Sequence, residues 1–325
     1  MTTRPLVLIV GAGVSGLTTA VRLAERKLGV RVRIRAEQEP WASSSAAAGA
    51  IWDPIYAKHA RVEHWASRSY AVFSELARSG FPGVRVIDGV EASRVPIPTP
   101  GWALDLPGYR DCRPAELPVG FASGWRYTAP IIDMPPYLSE LQARLTAAGG
   151  ELIFGERLGG LGDAFADAAI VINCSGVGAR ELVPDPEVQP IRGQLVAVRN
   201  PGLREFFAEH TDELGEMTYF LPQGDVLLLG GSAEKGEAEP LADTQIAAAI
   251  VRRCVEIFPV IGGADILGHR TGIRPWRSEV RLEHEDLGDR HLVHNYGHGG
   301  AGVSLSWGCA DDVADLVQGI LEGDA

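Results

Sequence analysis

The strongest constraint in this chain is its opening. PLVLIV at 5–10, an apolar run of strand length, leads straight into GAGVSG at 11–16, and from Leu17 to Leu28 apolar residues recur at helical spacing. VRVRIRAE at 30–37 supplies the next strand, with valine and isoleucine alternating with arginine, so the segment reads as a βαβ unit. Gly11, Gly13 and Gly16 fill a GxGxxG pattern, and each answers a separate steric need, in turn the tight turn, room for a pyrophosphate, and close packing of helix on strand. The helix starting near Val14 points its positive dipole end at the turn, where an anion is favoured. Glu37 falls where a dinucleotide ribose needs an acceptor and where a 2′-phosphate would be repelled. The motif alone does not separate one dinucleotide from another.

The rest of the chain extends this start into an α/β architecture. A strand in AAIVINCSG (168–176), a helix at Pro136 to Ala148 and the closing strand, glycine loop and helix of HLVHNYGHGGAGVSLSWGCADDVADLVQGIL return to the nucleotide pattern. Between them QLVAV (194–198), YFLP (219–222) and DVLLLGG (225–231) read as strands of a second sheet, followed by a helix over Asp243 to Phe258. Trp41 to about Met134 is rich in proline, glycine and isolated aromatics, with one helix-like stretch from Glu63 to Arg78. The expectation is a Rossmann-like cofactor domain, discontinuous over 1–53, 137–190 and 268–325. A substrate and interface domain on a mixed β-sheet takes 54–136 and 191–267, and 325 residues suffice for both.

Bulk properties exclude several functions. Hydrophobic and charged residues make up 46% and 22% of the chain, an ordinary globular balance. A net charge of −12 with no Lys/Arg cluster argues against nucleic acid. The first apolar run is too short for a membrane span and runs into a glycine turn, so it reads as a strand and not a leader. Cys112, Cys174, Cys254 and Cys309 are widely spaced, with no CxxC pair, so no metal site is expected; Cys174 and Cys309 read as buried thiols. The final LEGDA lacks a Ser-Lys-Leu address, which leaves the cytoplasm as the default location. Ser43, Ser44 and Ser45 precede a run of small residues, AAAGA, that would let backbone approach a flat ring.

Taken together, VLIVGAGVSGL, SSSAAAGAIW, VINCSG, IRGQ (191–194), HRTGIRP (269–275) and LVHNYGHGGAGVSLSWGCA (292–310) resemble the D-amino-acid oxidase family over most of the chain. The last segment is the most specific, with His294, Asn295, Tyr296, Gly297, Gly302, Gly308 and Ala310 in the places of that family's signature. The resemblance implies FAD, held by Gly11, Gly13, Val14, Ser15, Gly16, Glu37, Ser43, Ser44, Ser45, Gly49, Leu158, Cys174, Ser175, Gly176, Arg274, Gly299, Gly300, Gly302, Val303 and Ser304. A helix starting near Gly302 would offer amides and a positive dipole to a reduced flavin, and Ser304 a hydroxyl.

The implied reaction is oxidative deamination of a D-amino acid by hydride transfer from Cα to flavin N5, with O2 reduced to H2O2. By resemblance Arg274 anchors the substrate carboxylate, its planar fork suited to bidentate binding. Tyr219 adds a hydroxyl donor, and the Gly300 carbonyl accepts from the amine. No general base is required, and His298 is read as an ordinary loop residue. The sequence departs from animal members before Tyr219, where GEMTY puts Gly215 at the place of a second tyrosine and implies a shorter lid. Trp52, Ile55 and Tyr56 are candidates for the side-chain pocket. D-aspartate oxidase, a glycine or sarcosine oxidase and, more remotely, a non-catalytic nucleotide-binding protein stay open as alternatives, as does a homodimer.

Overall fold

A computed structural model describes residues 4–211 and 214–323. Its strands are β1 (Leu6–Val10), β2 (Arg31–Ala36), β3 (Val84–Ser93), β4 (Arg110–Asp111), β5 (Ser123–Ile132), β6 (Glu151–Phe154), β7 (Ile170–Asn173), β8 (Gln189–Arg199), β9 (Phe206–Glu209), β10 (Tyr219–Gln223), β11 (Val226–Gly230), β12 (Glu234–Lys235), β13 (Ile266–Asp286) and β14 (His291–His298). The helices are α1 (Val14–Arg26), α2 (Val62–Arg78), α3 (Gly101–Leu104), α4 (Met134–Ala147), α5 (Leu161–Phe165), α6 (Ala179–Leu182), α7 (Thr244–Ile257) and α8 (Gly302–Glu322).

The strands join into one sheet in the order β4-β5-β3-β9-β10-β11-β8-β13-β14-β7-β1-β2-β6, with β12 paired to β8. From β6 to β14 the neighbours are parallel, the mark of βαβ crossovers; from β14 to β9 they are antiparallel. The sheet expected as a separate second one is thus continuous with the first. The join is β13, whose Ile266–Trp276 part pairs β8 and whose Arg281–Asp286 part pairs β14, with a register break between Trp276 and Arg281. Arg274 lies just before that break.

Sequence patterning missed β3 and β5. VRVIDGVEAS and SGWRYTAPII carry a glycine and a proline inside the strand and do not alternate cleanly, because both faces of β5 are largely covered. Gly89 is required there: a Cβ on it would lie 2.3 Å from the Phe206 ring.

The main core lies under α1 and α8. Val14, Leu17, Val21 and Leu23 of α1 bury against Leu305, Trp307, Cys309 and Val313 of α8, each side chain of the Leu17 kind stabilising by about 1.5–3 kcal/mol. Thr18 Oγ1 donates to the Ser306 carbonyl at 3.3 Å, tying the helices together. The helix α2, within the 54–136 span expected to belong to the second lobe, packs on α8 through Trp65, Ala66 and Phe73 and shares this core. Gly308 permits that crossing, since a Cβ on it would come within 2.3 Å of Trp65 Cα. A second core, under α7, gathers Val196, Phe207, Phe220, Leu227 and Ile250. Among the described residues no helix is long and apolar enough to cross a membrane.

Candidate active site

The three early glycines divide their work as their steric surroundings require. A Cβ on Gly11, whose φ is +108°, would lie 2.4 Å from the Cys174 carbonyl oxygen, and one on Gly16 only 2.0 Å from the Gly11 oxygen, so both positions hold turn and helix against protein backbone. Gly13 differs: a Cβ there would meet only Ser45 Oγ, at 3.1 Å. The space beside it is kept clear. Leu17 N–H is the first of α1 to bond back to the turn, at Gly13 O, while Val14 N–H donates to Ser45 Oγ at 3.0 Å. The amides of Ser15 and Gly16 have no acceptor among the described residues, leaving a positive mouth that fits a pyrophosphate. Glu37 sits exposed at the end of β2.

The serine segment links this mouth to the late glycine turn. Ser43 Oγ is turned to its own loop, donating to Pro40 O, whereas Ser44 Oγ accepts from Ile273 N–H at 3.1 Å and so braces the residue before Arg274. Further along, Asp53 N–H donates to Ser304 Oγ at 2.9 Å, in the first turn of α8. The 44–53 segment therefore touches the N-termini of both α1 and α8. The loop after β7 closes one side: Asn173 Oδ1 accepts from Ser175 N–H and Oγ, and Pro275 Cγ is 3.9 Å from where a Gly176 Cβ would be. Cys174 is buried beneath it, Val303 lies at the α8 start, and Leu158 packs against the cluster of Leu8, Val10 and Val171.

His298 ends β14 just before the turn of Gly299 and Gly300. Sequence reading made it an ordinary loop residue; the structure buries it at 3% exposure with Nε2 unpartnered, and burial pulls its pKa down to about 4, so the ring is neutral. Trp52 is a second correction. It belongs to the core and not to a pocket, being 3% exposed, donating from Nε1 to Ala66 O and meeting Tyr70 and Trp102 edge-on.

Arg274, on β13, lies beside the late glycine turn. Its guanidinium lies flat on Gly193, where a Cβ would be 2.4 Å from Cζ, and Nη1 donates to Ser232 O at 2.9 Å. Among the described residues no carboxylate pairs with it, and burial pulls its pKa below the usual arginine range. A planar cation aimed by backbone carbonyls and free of an anion among the described residues has the geometry to receive a carboxylate. Tyr219 lies on Gly230, whose Cβ would be 2.0 Å from the phenol Cζ, and its edge meets Gly49. Burial pushes its pKa up to about 12 against the opposing pull of Arg274, so it is a neutral donor. A Cβ on Gly300 would be 3.7 Å from Leu214, 3.8 Å from Tyr56 and 4.0 Å from Arg274. Gly300, Arg274, Tyr56 and Leu214 thus meet at one point, with Tyr219 within electrostatic reach. Tyr56 in turn bonds Thr211 at 2.8 Å. Sequence reading missed Gly193, Gly230, Ser232 and Leu214; the GGS that ends β11 was the available signal.

One group elsewhere has metal-ligand spacing, Glu283, Glu285 and His294, but Arg281 binds both carboxylates and supplies the compensating charge.

The parallel strands, the glycine turn and the open start of α1 are the features of a dinucleotide-binding α/β enzyme. The chain belongs to the FAD-dependent oxidoreductase family DAO, which it matches over residues 7–316, and FAD is its cofactor. It is 46% identical over 316 residues to the D-amino-acid oxidase of Rubrobacter xylanophilus and 48% identical over 316 residues to that of Streptomyces coelicolor, each alignment covering 96% of both chains. In fold it is similar to glycine oxidase from Geobacillus kaustophilus, with a TM-score of 0.80 at 22% identity over 98% of this chain and 95% of the other.

Proposed function

We propose that this chain is a D-amino-acid oxidase. The observation that carries the reading is Arg274: a part-buried guanidinium that has no carboxylate partner among the described residues, beside a neutral tyrosine hydroxyl and an exposed glycine turn, within an FAD-dependent family. The D configuration is supported by the 46% and 48% identity to two proteins that carry the name. Arg274 and Tyr219 hold the substrate carboxylate, the Gly300 carbonyl accepts from the amine, and Tyr56 and Leu214 exclude water around the Cα–H. Bound FAD would supply the two-electron acceptor for the Cα hydride, with O2 as the final oxidant giving H2O2 and the imino acid product hydrolysing to a 2-oxo acid and ammonia. No side chain then has to remove a proton from carbon, because a neutral amine's lone pair assists hydride departure. The amides at the α1 mouth with Ser45 hold the pyrophosphate, Glu37 the ribose, and the α8 N-terminus with Ser304 the pyrimidine end of the flavin.

Division of labour between a cofactor region around α1 and α8 and a substrate region around β8 to β11 fits this reading. The four cysteines are unpaired, which suits the cytoplasm. Anaerobic mixing of the flavin-loaded protein with D-alanine and with L-alanine tests the proposal: the visible flavin absorbance bleaches with the D isomer and returns on admitting air, with peroxide formed. Bleaching by the L isomer alone, or by neither, would overturn it.

A further inference from the structure

The guanidinium of Arg274 is itself held by a segment that other elements pin in place. Its Nη1 donates to the Ser232 carbonyl, so its aim depends on where Gly231 and Ser232, just after β11, lie. Those two residues have little freedom. Gly231 N–H donates to Met217 O at 2.6 Å, Ser232 N–H to Gln194 O at 3.3 Å, and Ser232 Oγ accepts from Gln194 N–H at 3.0 Å. The Gly231 carbonyl accepts from Arg253 Nη2 at 2.9 Å. Every backbone polar group of the pair is thus engaged, and both carbonyls are held by arginines.

Arg253 comes from α7, on the other side of the sheet. Ala247, Ile250 and Cys254 of α7 bury with Phe220 and Leu229, whereas Tyr219, the neighbour of Phe220 in β10, packs with Leu195 and Leu221. Strand side chains alternate between faces, so α7 lies behind the strand that presents Tyr219. Arg253 stands three residues after Ile250, at the margin of the buried helix face, and its Nη1 pairs with exposed Glu216 at 3.2 Å. Two more contacts tie α7 to the same place. Cys254 Sγ donates to Tyr219 O at 3.5 Å. The Gln194 side chain clasps Asp243, the N-cap of α7, accepting from its N–H and donating to its carbonyl, both at 2.8 Å.

We infer that Arg253 is a positioning residue for the carboxylate site: from behind the sheet it fixes the Gly231 carbonyl and, through the adjoining Ser232 carbonyl, the aim of Arg274. The inference rests on the D-amino-acid reading above and deepens it. An arginine suits the task, because a charged donor bonds a carbonyl more strongly than a neutral one does, and its fork serves Gly231 and Glu216 at once. Without that bond the Gly231 peptide is free to turn and Ser232 O moves with it. Arg274 then keeps its charge and loses its preorganisation.

The test measures kcat and KM for D-alanine, and the Kd of propionate followed through the flavin spectrum without turnover, on flavin-loaded enzyme. Arg253→Met, Arg253→Lys and Glu216→Gln are compared with the parent, with flavin content and Tm taken on the same samples. Arg253→Met keeps the alkyl stem and removes the donor. KM and the propionate Kd both rise about five- to tenfold, while kcat falls less than about twofold. Arg253→Lys recovers part of the loss, and Glu216→Gln, which leaves the Gly231 bond in place, stays within about twofold of the parent. Combined with Arg274→Ala, Arg253→Met adds less than about twofold to the loss, because no guanidinium remains to be aimed; a charge acting at long range would still be felt there. Unmoved KM and propionate Kd in Arg253→Met, or losses that simply add in the double variant, would overturn the role of Arg253 while leaving the oxidase intact. If the parent binds propionate but no D-amino acid bleaches its flavin, the oxidase reading itself fails and the inference falls with it. Should Arg253→Met lose its flavin, Arg253→Lys combined with Arg274→Ala decides the matter by the same test of additivity.

Discussion

Replacing Arg274 by alanine removes a cation that has no carboxylate partner among the described residues, and on the proposed reading its surroundings set the size of the loss. The guanidinium is pressed flat on Gly193 and its Nη1 is spent on Ser232 O, so the fork is fixed before substrate arrives and little ordering remains to oppose binding. Two charge-assisted hydrogen bonds to a carboxylate contribute about 1.5–3 kcal/mol each. Their loss is at least about 3 kcal/mol, or about a hundredfold in kcat/KM. The carboxylate takes no part in bond breaking, so most of that appears in KM, with a further fall in kcat where the Cα–H is no longer held on line. Arg274→Lys keeps the charge but not the fork and recovers only part of the loss. Gly193→Ala leaves Arg274 in the sequence yet drives a methyl to 2.4 Å of its Cζ, so KM rises in the same direction. Peroxide release over a range of D-alanine, with flavin content measured on the same samples, checks all three. An alanine variant with full flavin and kcat/KM within about threefold of the parent would remove Arg274 from the substrate site.

Other outcomes follow from the same geometry. Gly13→Val folds but binds no flavin, because its side chain fills the space the pyrophosphate needs while touching only Ser45 Oγ in the protein; a yellow variant of normal stability would contradict this placement. Tyr219→Phe removes a neutral donor and raises KM about tenfold with flavin retained, as expected for one hydrogen bond to a charged group; unchanged kinetics would make Tyr219 a packing residue. For His298 the folded-state pKa, about 4, lies below the ordinary histidine value of 6.5. The unfolded chain therefore binds more protons in that window, and stability conferred above pH 6.5 is lost as the pH falls toward 4, by up to about 3 kcal/mol. Denaturant titrations between those limits should show a shallower pH slope in His298→Asn, and an equal slope would place the proton uptake elsewhere.

What the sequence made readable was whatever depends on neighbours in the chain. The β1, α1, β2 start and the α8 turn combine a strict period with glycines whose spacing has a steric cause, and the helices over 62–78, 134–147 and 244–257 lie close to where their periodicity put them. Features that depend on partners distant in sequence were not visible. Nothing in SGWRYTAPII announces a strand until β3 lies beside it, and Trp52 was a pocket candidate only through its nearness to the serine segment. Gly193 and Gly230 acquire their purpose from side chains elsewhere in the chain, Arg274 and Tyr219, whose planar groups need a surface without a Cβ. Ser44 likewise reads as a loop hydroxyl until Ile273 arrives to bond it.

The strand β13 carries a mechanical corollary. It is laddered to β8 on one side and to β14 on the other, and Arg274 sits on it close to the crossing. The two regions are thus welded along a shared beam, and any jaw-like rotation between them would have to shear hydrogen bonds in the middle of the sheet. The distance from the Arg274 backbone to the sheet's parallel half is therefore set at folding, and on the proposed reading amino acid and product pass by movement at the periphery.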